Sequence, residues 1–145
     1  MPIDGSPTST KAADYAIHIA ACEKSEIVLL HVLEGVKQGG AIGLQARYGN
    51  TRLFEGLQKI RIDAIEHYIS QIKVAAEKEK VGIKSEILDD DGVSEVGVIT
   101  RYAEKNNVDL IVMGSRGLSK FKRMLLGSVA NAVVNHSKCP VLVVR

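Results

Sequence analysis

The chain has 145 residues, which is enough for one domain with a hydrophobic core, and its formal net charge is only +2. So small a charge argues against a surface for nucleic acid or membranes, and the 4% of aromatic residues, with no Trp, argues against base-stacking platforms. No apolar stretch is long enough to span a bilayer and no signal peptide opens the chain, so we expect a cytoplasmic protein.

The first part of the chain predicts a helix between two strands. Residues 1–3 form at most a stub of a strand. A helix follows, because Ser6 or Thr8 can cap its first turn and Pro7 suits that turn. The continuous apolar run 27–32 is typical of a strand covered on both faces, as in a parallel sheet.

The rest of the chain continues this alternation. In order, we expect a long glycine-rich loop (34–52), a helix (53–80), a less buried edge strand (83–88), a helix (94–106), a strand (110–113), a glycine loop, a fourth helix and a last strand (140–144). Alternating strands and helices predict a single α/β domain, 1–145, with a parallel sheet of four or five strands.

Two loops of this pattern are candidates for one crevice. Asp4 follows the first strand, and Gly114 to Gly117 follow the fourth. Ligands of open α/β sheets bind at the carboxyl ends of the strands, where the strand order reverses. If these two strands are neighbours, both loops open into the same crevice.

Four residues between the fourth strand and the fourth helix form a pattern that suits phosphate binding, namely Gly114, Gly117, Gly127 and Ser128. Glycines between a buried strand and a helix present backbone N–H groups without side chains, which suits a phosphate. The alternative is that these glycines only turn the chain. Ser128 suits either a phosphate contact or a helix N-cap, and Asp4 suits either ribose hydroxyls, a metal through water, or the cap of the first helix.

Other polar residues have more ordinary interpretations. The cations between the glycines create a field that attracts ATP, although a solvated basic loop is the alternative; they are Arg116, Lys120, Lys122 and Arg123. The run 89–91 of three aspartates is more typical of a solvated turn than of a metal site. The four histidines have no metal-binding spacing, and we interpret all of them as structural; they are His18, His31, His67 and His136.

Several longer motifs resemble the universal stress protein family, over essentially the whole chain. They are DGS at 4–6, LLHV at 29–32, DLIVMGSRG at 109–117, LLGSV at 125–129 and CPVLVV at 139–144. The resemblance implies a five-stranded parallel sheet of order 3-2-1-4-5 with helices on both faces, an adenine-nucleotide α-hydrolase-like fold. It also implies a homodimer through the last strand, 140–144, which would otherwise be an open apolar edge.

The ATP-binding branch of that family carries the pattern G-x2-G-x9-G-[ST], which is intact here. The resemblance implies that N–H groups around Gly117, Gly127, Ser128 and Val129 hold phosphates. It implies that Asp4 lies near the ribose, that Val32 offers backbone groups to the adenine edge, and that Pro2 and Met113 wall the base and sugar. Arg116 or Lys120 is expected to approach a phosphate, and Mg²⁺ or Mn²⁺ is a candidate to bridge the phosphates.

The chain departs from the family pattern at its beginning. Only three residues precede Asp4, where family members have several more residues of apolar strand. We therefore expect either a shortened first strand that the fold tolerates or a true start that lies upstream.

Three functions remain in competition. The first is a nucleotide-dependent switch or interaction module that binds ATP in the stress response. The second is a slow ATP hydrolase or phosphotransferase, for which the chain shows no Walker A lysine motif and no evident water-positioning residue. The third is a nucleotide-free dimeric scaffold, in which the glycines only shape the loop.

Overall fold

The computed structural model describes residues 1–33, 51–90, 92–118 and 125–145. Most of the predicted glycine-rich loop 34–52 lies outside these residues, as do the side chains of Lys120, Lys122 and Arg123. Helices and strands alternate as predicted: α1 (Pro7–Glu23), β1 (Ile27–Leu33), α2 (Thr51–Lys78), β2 (Ile83–Asp89), α3 (Glu95–Lys105), β3 (Ile111–Gly114), α4 (Ser128–His136) and β4 (Val141–Val144). The α/β class is therefore confirmed.

The ends of the helices follow from capping residues. Ser6 caps α1 by accepting a hydrogen bond from the Ser9 N–H, and Pro7 occupies the first helical position. The helix ends at Glu23, and the left-handed conformation of the next residue, Lys24 (φ 52°), lets the Ser25 N–H also bond the Ala20 carbonyl at 3.0 Å. Ser94 caps α3 in the same way, by accepting from the Gly97 N–H.

The strands form two parallel pairs. β1 pairs with β2 from Ile27↔Ile83 to Leu33↔Asp89, and β3 pairs with β4 from Ile111↔Val141 to Gly114↔Val144. β2 is half-buried, as expected of an edge strand. The described residues thus contain four strands in two sheets, and the five-stranded order 3-2-1-4-5 is not confirmed.

The first strand is reduced to a single parallel bridge between Pro2 and Leu30. Ile3 donates to the Leu30 carbonyl, and Leu30 donates to the Met1 carbonyl, each at 2.9 Å. Since bonding direction alternates along a strand, the backbone of Pro2 faces away from β1, and proline has no N–H to donate there. This is a physical reason why the described residues show no ladder between this segment and β3.

Two hydrophobic clusters lie on opposite faces of the strands. Leu29 and Val112 belong to the first cluster, with apolar residues of α1 and α2. Leu30 and Ile111 belong to the second, with apolar residues of α3 and α4. Because successive residues of a strand point to opposite faces, both strand pairs are covered on both faces. Helices therefore lie on both sides of the strands, as predicted. Across the described ranges, no helix is long and apolar enough to cross a membrane.

Candidate functional site

A cavity of about 830 Å³ opens at the carboxyl ends of β1 and β3. Its volume is within the range usual for small-molecule sites. All ten residues that the sequence predicts for ligand binding line it: Pro2, Asp4, Val32, Met113, Gly114, Arg116, Gly117, Gly127, Ser128 and Val129. The structure thus brings together residues from three separate parts of the chain.

The glycine loop is held in place by its own backbone. The Ser115 N–H donates to the Val144 carbonyl, and the Ser115 carbonyl accepts from the Gly127 N–H, both at 2.7 Å. The Gly127 N–H is therefore occupied, and it is not a free donor for phosphate. Ser115 itself is almost completely buried, so this loop joins β3, β4 and α4 into one rigid junction.

Hydroxyl groups of α1 also fix the loop. The Ser6 hydroxyl donates to the Arg116 carbonyl (3.1 Å), and the Thr8 hydroxyl donates to the same oxygen. Because its carbonyl is held by two donors, the Arg116 backbone has a defined orientation, while its side chain is exposed at the cavity. A hydroxyl at an N-cap position is recognisable in sequence, but its distant partner is not.

The glycines serve two different purposes. A Cβ atom at Gly114 would lie 2.7–2.8 Å from Thr8 and from the Ser9 backbone nitrogen, so this glycine lets α1 pack against β3. A Cβ at Gly117 would instead lie 2.8 Å from the Asp4 Oδ2 atom. Gly114 is thus explained by packing, whereas Gly117 leaves room for a carboxylate at the cavity.

The N-terminus of α4 opens onto the cavity without a cap. Its N-cap residue is Gly127 (φ −68°, ψ 160°), which makes no side-chain capping bond. The interpretation of Ser128 as an N-cap is therefore wrong, because Ser128 is the first residue of the helix. Ser128, Val129 and Ala130 all line the cavity. The first N–H groups of a helix have no intrahelical acceptor, and together with the helix dipole they favour an anion.

Asp4 does not cap α1, because Ser6 does. One carboxylate oxygen of Asp4 accepts from the Ser6 N–H at 2.9 Å, which fixes the side chain. Gly5 follows in a left-handed conformation (φ 76°) and turns the chain into the helix. The other oxygen, Oδ2, lies beside Gly117 at the cavity, where it can accept hydrogen bonds from a ligand.

Val32 is the next residue of β1, after Leu30, whose backbone could pair with the segment 1–3 beyond the Pro2–Leu30 bridge. The N–H of Ile27 and the carbonyl of Leu33 bond to the β2 side, whereas both groups of Leu30 bond to the residue 1–3 segment. By this alternation the N–H and C=O of Val32 face that segment too. Within the described ranges neither group of Val32 has a hydrogen-bond partner, and Val32 lines the cavity.

Helix α2 forms a wall of the cavity that the sequence did not predict. Arg61, Ala64, Ile65 and Tyr68 line it, and the Tyr68 hydroxyl ties α2 to α1 through Thr10 (3.2 Å). The sequence pattern predicted a helix over 53–80, but it carried no signal for a ligand.

Charge alone does not make the described part of the cavity attractive to phosphates. Its charged lining residues are two cations and two carboxylates: Arg61, Arg116, Asp4 and Glu95. Backbone donors are therefore more important for an anion here than the side-chain charges that the structure describes. In the same ranges, no group of three or more His, Cys, Asp or Glu residues is placed to hold a metal ion.

His31 lines the cavity, although the sequence suggested only a structural role. Its Nδ1 atom lies 2.8 Å from the Ile3 carbonyl oxygen. A carbonyl only accepts, so Nδ1 carries the hydrogen. His18, His67 and His136 make local contacts within their own helices instead.

Comparison with known proteins finds matches over the whole chain. The model of the universal stress protein family matches residues 1–145. The chain is 37% identical to universal stress protein MJ0531 of Methanocaldococcus jannaschii, covering 100% of this chain and 79% of that protein. It is 34% identical to universal stress protein YxiE of Bacillus subtilis, covering 100% of this chain and 96% of that protein.

Solved structures share the fold. The chain superposes on universal stress protein UspA from Lactobacillus plantarum with a TM-score of 0.83 at 23% identity, covering 99% of this chain and 94% of the other. One further universal stress protein was solved in complex with cAMP, and another, from Archaeoglobus fulgidus, was solved in complex with dAMP. Their TM-scores are 0.66 and 0.69, at 23% and 17% identity; each covers at least 99% of this chain, and 93% and 94% of the other.

Proposed function

The chain belongs to the universal stress protein family, and on that premise we propose that it binds an adenine nucleotide, ATP, and acts in the stress response as a nucleotide-dependent switch or interaction module. One observation carries the proposal. Backbone and carboxylate groups without described partners, from three segments, converge on one cavity: the first turn of α4, the Val32 backbone and the Asp4 Oδ2 atom.

The phosphates would bind at the N-terminus of α4. The N–H groups of Ser128 and Val129 are the donors there, and the Ser128 hydroxyl adds another. The Gly117 backbone nitrogen lies near the start of α4, since a Cβ at Gly127 would be 3.9 Å from it, and it belongs to the loop whose Arg116 carbonyl Ser6 and Thr8 hold. Arg116 supplies a side-chain cation beside this anion site.

The nucleoside would occupy the end of the cavity near β1. The Val32 N–H and C=O form a donor–acceptor pair that matches the N1 and N6-amino edge of adenine. The Asp4 Oδ2 atom accepts from ribose hydroxyls, and Pro2 and Met113 supply apolar walls. Universal stress proteins of the same fold hold cAMP and dAMP, which supports a ligand with an adenine base. If Mg²⁺ or Mn²⁺ participates, its ligands would be mainly phosphate oxygens and water.

The experiment is to identify what the purified protein carries. We expect mass spectrometry of a denatured extract to show an adenine nucleotide, and calorimetry of nucleotide-stripped protein to show ATP binding. An extract without adenine nucleotide, together with no heat of ATP binding, would contradict the proposal.

The proposal includes a homodimer through the last strand. The Pro140 carbonyl accepts from Ile111 of β3 and the Val144 carbonyl accepts from Ser115, which follows β3. By alternation the N–H groups of Val141 and Val143 therefore face outward from β4. Light scattering should show a dimer that Val143→Pro converts to a monomer, because proline removes an outward N–H. Val143→Thr keeps that N–H and should remain dimeric. A monomeric wild-type protein would contradict this part.

A further inference from the structure

The end of the first-strand ladder has a specific chemical cause. In a parallel ladder that begins with the Pro2–Leu30 bridge, the next bond would run from the Val32 N–H to the Ile3 carbonyl. That bond is not formed among the described residues. The Ile3 carbonyl instead accepts from the imidazole of His31, with Nδ1 at 2.8 Å.

From this we infer that His31 is a positioning residue: its imidazole occupies the Ile3 carbonyl and thereby keeps the Val32 N–H free to bind the ligand's base. The inference rests on the proposed nucleotide site, because it explains how that site keeps an unpaired backbone donor. A side chain in the cavity wall substitutes for a backbone group that would otherwise close the ladder.

The neighbouring geometry supports this role. His31 and Val32 are consecutive, so their side chains point to opposite faces of β1, yet both residues line the cavity. The ring of His31 is half-buried and its Nδ1 bond spans 28 residues of sequence, which fixes the ring against the Ile3–Asp4 peptide. The bond that would follow in the ladder, from the Gly5 N–H to the Val32 carbonyl, is also not formed among the described residues, and Gly5 has a left-handed conformation (φ 76°).

The same contact links the two parts of the nucleoside site. The Ile3 carbonyl belongs to the peptide that joins Ile3 to Asp4, whose carboxylate is expected at the ribose. A donor on this carbonyl therefore orients Asp4 as well as releasing Val32. Loss of the donor should weaken base and ribose contacts, while the phosphate site at α4 remains.

The test uses two substitutions of different donor capacity. His31→Leu removes the donor, so the Val32 N–H, which the register of the Pro2–Leu30 bridge assigns to the Ile3 carbonyl, can bond it. His31→Asn places an amide N–H close to the position of Nδ1 and serves as the matched control. Amide hydrogen exchange of Val32, followed by NMR without nucleotide, reports the ladder directly.

We expect Val32 to exchange rapidly in the wild-type protein and in His31→Asn, and at least about tenfold more slowly in His31→Leu, because an amide that enters a ladder bond is protected from exchange. ATP affinity should fall about tenfold in His31→Leu, whereas affinity for inorganic tripolyphosphate, which has no base or ribose, should be unchanged. His31→Asn should keep most of the ATP affinity.

Three results would overturn the inference. One is a Val32 amide that is already protected in the wild-type protein. Another is equal loss of ATP and tripolyphosphate affinity in His31→Leu, and the third is unchanged Val32 exchange in that variant.

If His31→Leu does not fold, two measurements on the wild-type protein decide the question. They are the amide exchange of Val32 and the tautomer of His31 by NMR, which must carry its hydrogen on Nδ1. If wild-type protein binds no nucleotide while Val32 exchange slows in His31→Leu, the proposed function fails but the ladder role stands.

Discussion

Helices α1 and α4 both begin beside the cavity, and the backbone donors of their first turns are satisfied in different ways. At α1, Ser6 caps the Ser9 N–H and Asp4 accepts from the Ser6 N–H, so the start of the helix is bonded internally. At α4, Gly127 offers no capping side chain, and the first turn lines the cavity. A helix N-terminus therefore indicates an anion site only where its N–H donors are not already bonded.

The difference also explains why both helices are needed. The capped helix α1 supplies hydroxyls that hold the Arg116 carbonyl and so fixes one side of the cavity. The uncapped helix α4 supplies donors to a ligand. One helix therefore gives rigidity and the other gives affinity, and substitutions should separate the two roles.

The largest effect is expected when α4 receives a cap. Gly127→Asp puts a carboxylate where it accepts from the first-turn N–H groups and repels phosphate. ATP affinity should fall about 100-fold, because two hydrogen bonds to a charged group, each contributing about 1.5 kcal/mol, are lost. Calorimetric titration measures the affinity, and thermal unfolding should show a stable protein.

Gly127→Ala is the control for bulk at that position. Its Cβ would meet the Ser115 carbonyl oxygen at 3.3 Å, as the first atom of an aspartate would, but it adds no acceptor or charge. ATP affinity should fall by less than about tenfold. Equal losses in the two variants would show that the uncapped amides do not bind the phosphates.

The packing side of the comparison is tested at Gly114. Gly114→Ala forces a Cβ to within 2.8 Å of the first turn of α1, and overpacking of this kind should lower the free energy of unfolding by about 2 kcal/mol. Urea denaturation measures it. Gly82→Ala, whose Cβ would meet only the Glu26 Cβ at 3.8 Å, should be close to neutral. A neutral Gly114→Ala would contradict the assigned packing role.

Removal of the α1 cap should affect stability more than binding. Ser6→Ala should lower the free energy of unfolding by about 1 kcal/mol, while ATP affinity changes by less than about threefold because Thr8 still holds the Arg116 carbonyl. Ser94→Ala, which removes the cap of α3, is the matched comparison and should cost a similar free energy. A large loss of ATP affinity in Ser6→Ala alone would mean that α1 contributes directly to binding.

A smaller effect is expected at the gap between the two loops. Gly117→Ala should push the Asp4 carboxylate aside, since the new Cβ would lie 2.8 Å from Oδ2. ATP should bind about threefold more weakly, with unchanged stability, since one hydrogen bond is only partly lost. If Asp4 is the cause, Gly117→Ala should have no further effect in an Asp4→Ala background; an additive loss would disprove that coupling.

The smallest effect on binding is expected far from both helix starts. Burial, together with the hydrogen bond to Glu86 (2.7 Å), raises the pKa of Tyr102 to about 12. Since the unfolded pKa is about 10, this contribution to stability is complete below pH 10 and is lost as the pH rises toward 12. The stability advantage of wild type over Tyr102→Phe should therefore shrink over this pH range in urea denaturation, while ATP binding at neutral pH is unchanged.

Much of the fold was predictable because its signals are local. The apolar run of β1 and the Ser6–Pro7 helix start lie in a few consecutive residues. The single-bridge first strand follows from Met1–Ile3 and Pro2, but its pairing depends on which strands approach it. Local sequence patterns therefore could not predict the order of the strands.

The sequence predicted several residues that line the candidate site, but not which of their hydrogen-bond donors are free. The glycine pattern and Asp4 indicated which residues meet. Which donors are free depends on distant partners, such as the Ser115 carbonyl that occupies the Gly127 N–H. His31 and Arg61 were missed for the same reason, because only the folded chain shows that they line the cavity.

The most direct test of the central claim is a crystal structure of the protein with ATP. We expect phosphate oxygens within hydrogen-bond distance of the Ser128 and Val129 N–H groups, and the adenine edge against the Val32 backbone. Phosphates bound away from the start of α4, or a nucleotide outside this cavity, would contradict the claim.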